Sequence, residues 1–141
     1  MKTCIREMTI QDLSKWQVLA ESEFMPADFC TAEYLASRWD VIKAWVLADC
    51  KDKWIGCGII KFGHDVINPN GVHFLEICIF PEYRGKGYAK QLLKVMNEHA
   101  HGRKKSACVH PSNTASTATI LGNGFLKTGT YKDWDVYTRE N

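Results

Sequence analysis

The fold is decided by a stretch near the middle of the chain: Leu75-Glu76-Ile77-Cys78-Ile79-Phe80-Pro81-Glu82-Tyr83-Arg84-Gly85-Lys86-Gly87-Tyr88-Ala89. It begins inside an apolar run, residues 72–80, whose one acidic residue is Glu76. A strand buried on both faces has this composition, and Pro81 ends it. Residues 87–100 then carry apolar side chains at helical spacing. The stretch therefore predicts a buried strand, a glycine turn and a helix.

The glycine turn, residues 84–89, has the composition of a phosphate-binding loop. Backbone N–H groups at a helix start converge on an anion, with about half a positive charge from the helix dipole. Gly85 and Gly87 allow close approach of the backbone, and Arg84 adds a charged donor. The dinucleotide fingerprint would need a small residue where Lys90 stands, and a P-loop would need Ser or Thr in place of Gly87. A plain strand-to-helix turn also has this pattern.

Outward from this stretch, periodicity predicts the element order β-α-α-β-β-β-α-β-α-β-β over a single domain, residues 1–141. Thr9 is a predicted N-cap, with Asp12 three residues later, for a helix that includes Val18 among its core residues. The other predicted elements are strands at 2–8, 44–49, 54–62 and 106–110, helices at 31–40 and 113–121, and a closing strand pair within 125–139. The run Asn68-Pro69-Asn70-Gly71 predicts a turn.

Composition sets limits on function. The chain is 45% hydrophobic and 24% charged, and its formal net charge of +2 is too mild to indicate nucleic acid as a partner. The six cysteines form no C-x-x-C pair, so we expect free thiols and no metal site. No apolar stretch has membrane-spanning length or signal-peptide character, which favours the cytoplasm. His64 and His73, which flank the predicted turn, are expected to be ordinary surface histidines; the alternative is that they reach the mouth of the acceptor site.

The same stretch closely resembles the acetyl-CoA motif of the GCN-five-related N-acetyltransferase (GNAT) superfamily. The core of that motif, Arg/Gln-x-x-Gly-x-Gly/Ala, falls on Arg84, Gly87 and Ala89. A second set of matches lies at the expected distance downstream, at Asn113, Ser116, Gly124 and Phe125. Together with the element order, the resemblance covers essentially the whole chain.

The resemblance implies an α+β (α/β) fold: a mixed sheet of about seven strands with about four helices on its faces. It also implies a splayed V between the fourth and fifth strands, in which acetyl-CoA lies. The residues that the resemblance assigns to the cofactor are Ile77, Cys78, Ile79, Arg84, Gly85, Lys86, Gly87, Tyr88, Ala89, Asn113 and Ser116.

Acetyl transfer to an amine needs a base, because an alkyl ammonium with a pKa of about 10.4 costs roughly 4–5 kcal/mol to deprotonate at pH 7. Glu76 is the candidate, since burial in the apolar strand would raise its pKa. In similar proteins an acid in this strand is often the base. The alternative is a carboxylate turned to solvent or paired with a cation. Ile120 occupies the position at which many similar proteins have a tyrosine as general acid.

The acceptor is implied only as a class, a small-molecule amine or a protein amine. Phe24, Met25 and Phe29, around Pro26, are the predicted acceptor-binding residues. A homodimer is common among similar proteins, and neither nucleic acid nor a membrane is an expected partner. Two other functions stay open: a non-catalytic acyl-CoA-binding domain, indicated by Ile120, and a module that binds phosphates of nucleic acid through its basic residues.

Overall fold

The computed structural model describes residues 2–23 and 31–140. Its strands are β1 (Thr3–Glu7), β2 (Ile42–Asp49), β3 (Trp54–His64), β4 (Asn68–Ile79), β5 (Lys105–Val109), β6 (Leu126–Tyr131) and β7 (Trp134–Arg139). Its helices are α1 (Leu13–Glu23), α2 (Ala32–Ser37), α3 (Tyr88–His99) and α4 (Thr114–Gly122). Within these ranges the chain forms the mixed sheet and the four helices that the resemblance implies.

The strands form one sheet in the order β1-β2-β3-β4-β5-β7-β6. Neighbouring strands run antiparallel except β4 and β5, which run parallel. A parallel pair needs a crossover connection, and here α3 supplies it. The carboxyl ends of β4 and β5 therefore meet at the same edge of the sheet.

Two apolar clusters cover the faces of the sheet. Along β2, Trp45 and Leu47 belong to one cluster, whereas Val46 belongs to the other, as the period of a strand requires. The first cluster includes Leu92, Leu93 and Met96 of α3 and Ile120 of α4. The second includes Leu13, Trp16 and Leu35 of α1 and α2. The sheet thus lies between two helical layers.

The predicted start of the first helix is confirmed. Thr9 and Asp12 form a capping box, and the helix continues through a 3-10 turn, Ile10–Asp12, into α1. Arg6 of β1 donates to Asp12 at 2.8 Å and to Asp52 at 3.1 Å. The hydrogen bond from Arg6 is the main reason that the pKa of Asp12 falls to about 2. This network ties the first helix to the edge of the sheet.

Three local predictions are wrong. Residues 68–71 are the first residues of β4, and the turn lies at residues 65–67. Gly71 is there for space, because a Cβ would collide with the carbonyl oxygen of Lys104. Val18 is 66% exposed on the outer side of α1. The second helix ends at Ser37 and is followed by a 3-10 turn, Trp39–Val41.

In residues 2–23 and 31–140, every helix is too short or too polar to span a lipid bilayer.

Candidate active site

The parallel strands β4 and β5 separate after three residue pairs. The pairs are Val72 with Lys105, His73 with Ser106, and Phe74 with Ala107. Beyond them, Cys108 and Val109 of β5 pair with β7, and β4 pairs with β3 alone. A wedge therefore opens between β4 and β5 from Leu75 onward, which confirms the splayed V between the fourth and fifth strands.

A β-bulge lies at the point where the wedge opens. Ile60 of β3 pairs with Phe74, but the preceding Ile59 pairs with Glu76, so Leu75 is an extra residue in β4. A bulge bends its strand and increases the local twist. The bend turns the second half of β4 away from β5. It also puts Glu76 on the face of Ile59, which is the face covered by α1 and α2.

The main chain of β4 offers unpaired polar groups to the wedge. The N–H of Phe80 donates to the carbonyl oxygen of Ile55 in β3 at 2.9 Å. Because successive residues of a strand direct their N–H and C=O groups to opposite sides, Cys78 also faces β3, and Ile77 and Ile79 face the wedge. In agreement, Arg84 Nε donates to the carbonyl oxygen of Ile79 at 2.9 Å. Among the three predicted strand residues, Ile77 and the N–H of Ile79 thus offer the backbone groups that face the wedge and can bind an extended ligand.

The glycine turn leads directly into α3. Gly85 and Gly87 have φ of 77° and 82°, and Gly87 is the N-cap of the helix. A Cβ added at either glycine would meet no atom within 4 Å, so glycine is needed for its backbone conformation and open space lies in front of it. No side chain caps this helix. The first N–H groups of α3, including those of Tyr88 and Ala89, have no partner within the helix, which fits a bound pyrophosphate.

Glu76 is a half-buried carboxyl group on the bent part of β4. Burial destabilises its charged form and raises its pKa to about 7. Within the part of the chain that the structure describes, neither a cation nor a hydrogen-bond donor compensates for that burial. A carboxyl group with this pKa exists in both protonation states near neutral pH, so it can accept and release a proton.

Comparison with known proteins gives the family. The sequence profile described as "Acetyltransferase (GNAT) family" matches residues 9–125. This chain belongs to the acetyltransferase (GNAT) family. Its members transfer the acetyl group of acetyl-CoA, and the groups found above fit that cofactor: free main-chain groups in a wedge for an extended arm and a helix N-terminus for a pyrophosphate.

Solved structures with the same fold include proteins of three organisms. One is the PaiA N-acetyltransferase of Thermoplasma acidophilum in complex with coenzyme A, at 20% identity and a TM-score of 0.72, with 100% of both chains covered. Another is NAA60 of Arabidopsis thaliana with a bisubstrate analogue, at 18% identity and a TM-score of 0.76, with 97% of this chain and 95% of that one covered.

A third is the spermidine N-acetyltransferase of Vibrio cholerae in complex with CoA and spermine. It is 18% identical, with a TM-score of 0.66, and the similarity covers 96% of this chain and 92% of that one. A search of curated protein sequences finds no significant match. These likenesses establish the shared fold.

In this GNAT domain the predicted Asn113 and Ser116 lie just after β5, at the sheet edge that also carries the glycine turn. Asn113 is the N-cap of α4, and its side-chain oxygen accepts the N–H of Ser116 at 3.1 Å. The cap uses the oxygen of the Asn113 amide and leaves the NH₂ group as a donor. Its contact with the cofactor stays a prediction.

The structure describes the position of the missing tyrosine but not the predicted acceptor residues. Ile120 is 2% exposed and packs in the first apolar cluster, so this GNAT domain places a core residue where many similar proteins have a tyrosine. The predicted acceptor residues Phe24, Met25 and Phe29 lie outside the described residues.

One group near the wedge was missed at the sequence level. His73, expected at the surface, is 4% exposed and bonds to Ser106 of β5. The alternation of the strand could have indicated its position, because His73 lies between Val72 and Phe74, whose side chains face the opposite side of the sheet. The contact itself joins residues 33 positions apart, which no local pattern reveals.

Proposed function

We propose that this chain transfers the acetyl group of acetyl-CoA to a primary amine by direct attack of the amine in a ternary complex. The supporting observation is the second half of β4. It pairs on one side only, and on it stands a half-buried carboxyl group whose pKa is about 7. An unpaired strand edge beside a base suits an extended thioester and an incoming amine.

The cofactor would be held by main-chain groups. Ile77 and Ile79 would pair with the pantetheine arm as a neighbouring strand would, and the amides of residues 85–89 would bind the pyrophosphate. Arg84 and Lys86 are exposed at the turn and would add positive charge. The amide of Asn113 would contact the cofactor from the β5 side. Acetyl-CoA supplies the acetyl group as an activated thioester.

Glu76 acts as the general base. It accepts a proton from the incoming ammonium group, directly or through water, and so lowers the cost of forming the neutral amine that attacks; the second proton of the reacting nitrogen passes to water. The N–H of Ile79 donates to the thioester carbonyl oxygen and stabilises the negative charge that develops there. Ile120 cannot donate a proton, so the thiol leaves as its anion, which is a tolerable leaving group at neutral pH.

The acceptor is a small-molecule amine or a protein amine, and nucleic acid and membranes are not partners. Enzymes with this fold include a spermidine N-acetyltransferase that forms a dodecamer, and NAA60, studied with a bisubstrate analogue. The fold therefore does not choose an acceptor. We further propose that residues 1–141 act as one domain in the cytoplasm, as a homodimer.

Two assays test this function. We expect millimolar acetyl-CoA to raise the thermal unfolding temperature, since a ligand that binds only the folded state stabilises it. We also expect release of free CoA thiol in the presence of at least one amine of a panel, with the acetylated amine identified by mass spectrometry. No thermal shift with acetyl-CoA would contradict every cofactor-based function and favour the phosphate-binding module.

A second candidate is a non-catalytic acyl-CoA-binding domain. The observation that favours it is Ile120, buried in the core at the position of the missing tyrosine. A thermal shift with acetyl-CoA, combined with no thiol release over the whole amine panel, would select this function over catalysis.

A further inference from the structure

A cluster of polar side chains is buried where β4 and β5 are still paired, next to the wedge. Asn68 and His73 of β4 are each 4% exposed, and Ser106 of β5 is fully buried. Buried polar groups of this kind are costly unless they are paired. The acetyl transfer described above uses none of them, so their arrangement calls for a separate explanation.

Hydrogen bonds join the three side chains of this cluster. The carbonyl oxygen of Lys104 can only accept, so it is Nδ2 of Asn68 that approaches it, at 2.9 Å. The same nitrogen donates to Ser106 Oγ at 3.2 Å. Ser106 Oγ and Nδ1 of His73 are hydrogen-bonded at 2.8 Å, and the tautomer of the imidazole decides which of the two donates. In the tautomer in which Ser106 donates, His73 carries its hydrogen on Nε2.

The Nε2–H of His73 is available to a ligand. Burial is the main cause that lowers the pKa of His73 to about 3, so the ring is neutral in the physiological range. Nε2 has no hydrogen-bond partner among the described residues. Buried side-chain atoms without a partner are confined there to the indole nitrogens of Trp16 and Trp54. Nε2 of His73 is thus reachable from outside the core, and it acts as a donor in the tautomer in which Ser106 donates to Nδ1.

A second imidazole stands beside the first. The rings of His64 and His73 are 4.7 Å apart, and Tyr131 of the β6–β7 hairpin approaches His64 edge-on at 5.8 Å. Nδ1 of His64 accepts the N–H groups of Val66 at 3.3 Å and Ile67 at 3.1 Å. His64 therefore also carries its hydrogen on Nε2, and burial lowers its pKa. The two imidazole rings thus lie side by side where the β3–β4 and β6–β7 hairpins adjoin.

The charges around the two imidazoles favour a ligand rich in oxygen. Lys61 lies opposite His73 in the register of β3 and β4, and its charge lowers the pKa of both histidines. The charge of Asp65, at the exposed turn, raises the pKa of His64. N–H donors with a neighbouring lysine complement carbonyl or carboxylate oxygens and provide little attraction for a polycation.

The cluster lies on the same face of β4 as the base. His73 and Glu76 share the face of β4 opposite to Phe74, on either side of the bulge at Leu75. Three residues of a strand span about 10 Å, a distance that two side chains and a small ligand can bridge. A molecule whose amine lies at Glu76 can therefore reach the donors of His73 and His64.

We propose that the imidazole pair of His73 and His64 binds the oxygen atoms of an acceptor that carries a carbonyl or carboxylate group near its amine, as amino acids and peptide N-termini do. Ser106 and Asn68 are positioning residues that hold His73 in its donor tautomer. The proposal rests on the acetyltransferase function and narrows its acceptor to an amine with neighbouring oxygens. Polyamines and plain alkylamines are excluded as preferred acceptors.

The test measures kcat/KM from thiol release with four acceptors: a tripeptide with a free N-terminus, a free amino acid, spermidine and a matched alkylamine. We expect the tripeptide or the amino acid to exceed the other two by about tenfold or more, since one hydrogen bond to a buried donor contributes that much. Comparison of kcat/KM for the tripeptide and for the free amino acid shows which of these two acceptors the enzyme prefers.

His73→Phe should remove most of this preference, and His73→Gln, which keeps an N–H donor, should restore part of it. Ser106→Ala, a smaller change, should lower the same preference. It replaces His73→Phe as the test variant if His73→Phe loses its acetyl-CoA-dependent thermal shift. Lys94→Ala, at an exposed site on α3, is the control.

Preference for spermidine or the alkylamine in the unaltered protein would overturn this inference and leave the acetyltransferase function intact. Equal loss with all four acceptors in His73→Phe and Ser106→Ala would also overturn it, since it would indicate a structural role. Absence of thiol release with every amine would contradict the proposed function itself.

Discussion

The two halves of β4 differ both in composition and in surroundings. Residues 68–74 pair with β3, and from Val72 onward they also pair with β5, and their polar side chains Asn68 and His73 are hydrogen-bonded. Residues 75–79 pair with β3 only, and their polar side chain, Glu76, lies in an apolar surrounding. The bulge at Leu75 separates the halves.

This contrast shows how a single strand can provide both stability and a reaction site. In the first half, residues 72–74 pair with strands on both sides and the side chains of Asn68 and His73 bond to β5 or the residue before it, so the strand is fixed in the sheet. In the second half, the main chain is free to bind a ligand, and the uncompensated burial of a carboxyl group costs stability but gives a useful pKa. Substitutions in the two halves should therefore have different effects on stability and activity.

The largest expected effect is the loss of catalytic activity on substitution of Glu76, in residues 75–79 of β4. Glu76→Gln keeps the size of the side chain and removes the base, so we expect kcat/KM to fall by about 10²–10⁴-fold. Acetyl-CoA should still raise the unfolding temperature, because the wedge and the glycine turn are unchanged. Glu98→Gln, at an exposed site on α3, is the matched control and should keep full activity. A Glu76→Gln enzyme with normal turnover would remove the carboxylate from the mechanism.

The same substitution should stabilise the fold in a pH-dependent way. Between pH 4.5 and about 7 the unfolded chain has lost the proton of Glu76 and the folded protein keeps it, so native stability falls as pH rises through this window. Glutamine is neutral throughout. We expect Glu76→Gln to gain up to about 3 kcal/mol relative to the unaltered protein between these limits. Urea unfolding of both proteins at pH 4.5 and pH 8 checks this, and a pH-independent difference would contradict it.

A larger side chain between β3 and residues 75–79 of β4 should destabilise the fold. In Gly56→Ala the new Cβ would collide with the carbonyl oxygen of Cys78, which is backbone and cannot turn away. We expect a loss of about 1–3 kcal/mol in the free energy of unfolding. The control is Gly122→Ala, at the end of α4, where a Cβ meets no atom within 4 Å. Equal stability of the two variants would show that β4 can move freely.

The smallest effect concerns the glycine turn. Gly87 has a φ of 82°, which costs a residue with a Cβ roughly 1–2 kcal/mol. We expect Gly87→Ala to relax this strain by shifting the turn and to bind acetyl-CoA more weakly, seen as a smaller thermal shift at fixed ligand concentration. Gly122→Ala should keep the full shift. An undiminished shift in Gly87→Ala would mean that the turn does not hold the pyrophosphate.

Sequence patterns predicted the elements of the fold well because their causes are local. Periodicity gave the helices, and Pro81 with Gly85 and Gly87 gave the boundary between β4 and α3. The turn predicted at residues 68–71 was wrong because Gly71 serves a long-range need. It lets the carbonyl of Lys104 approach, which depends on the packing of β5.

The local features of the candidate site were also predicted from the sequence, and its long-range contacts were not. Glu76 and the glycine turn are neighbours in sequence, so one stretch contains both. The bulge at Leu75 and the pairing of His73 with Ser106 depend on strand register, which the sequence of β4 alone does not determine. The role of Ile120 as a core residue likewise follows from the packing of α4 against Phe125 and the sheet.

The most direct test of the central claim is the pH dependence of kcat/KM for acetyl transfer. Burial of Glu76 predicts that activity rises with pH along an acidic limb with a midpoint near 7, and that Glu76→Gln lacks this limb. A midpoint near 4.5, the ordinary pKa of a glutamate, or the same limb in Glu76→Gln, would contradict the assignment of the buried carboxylate as the base.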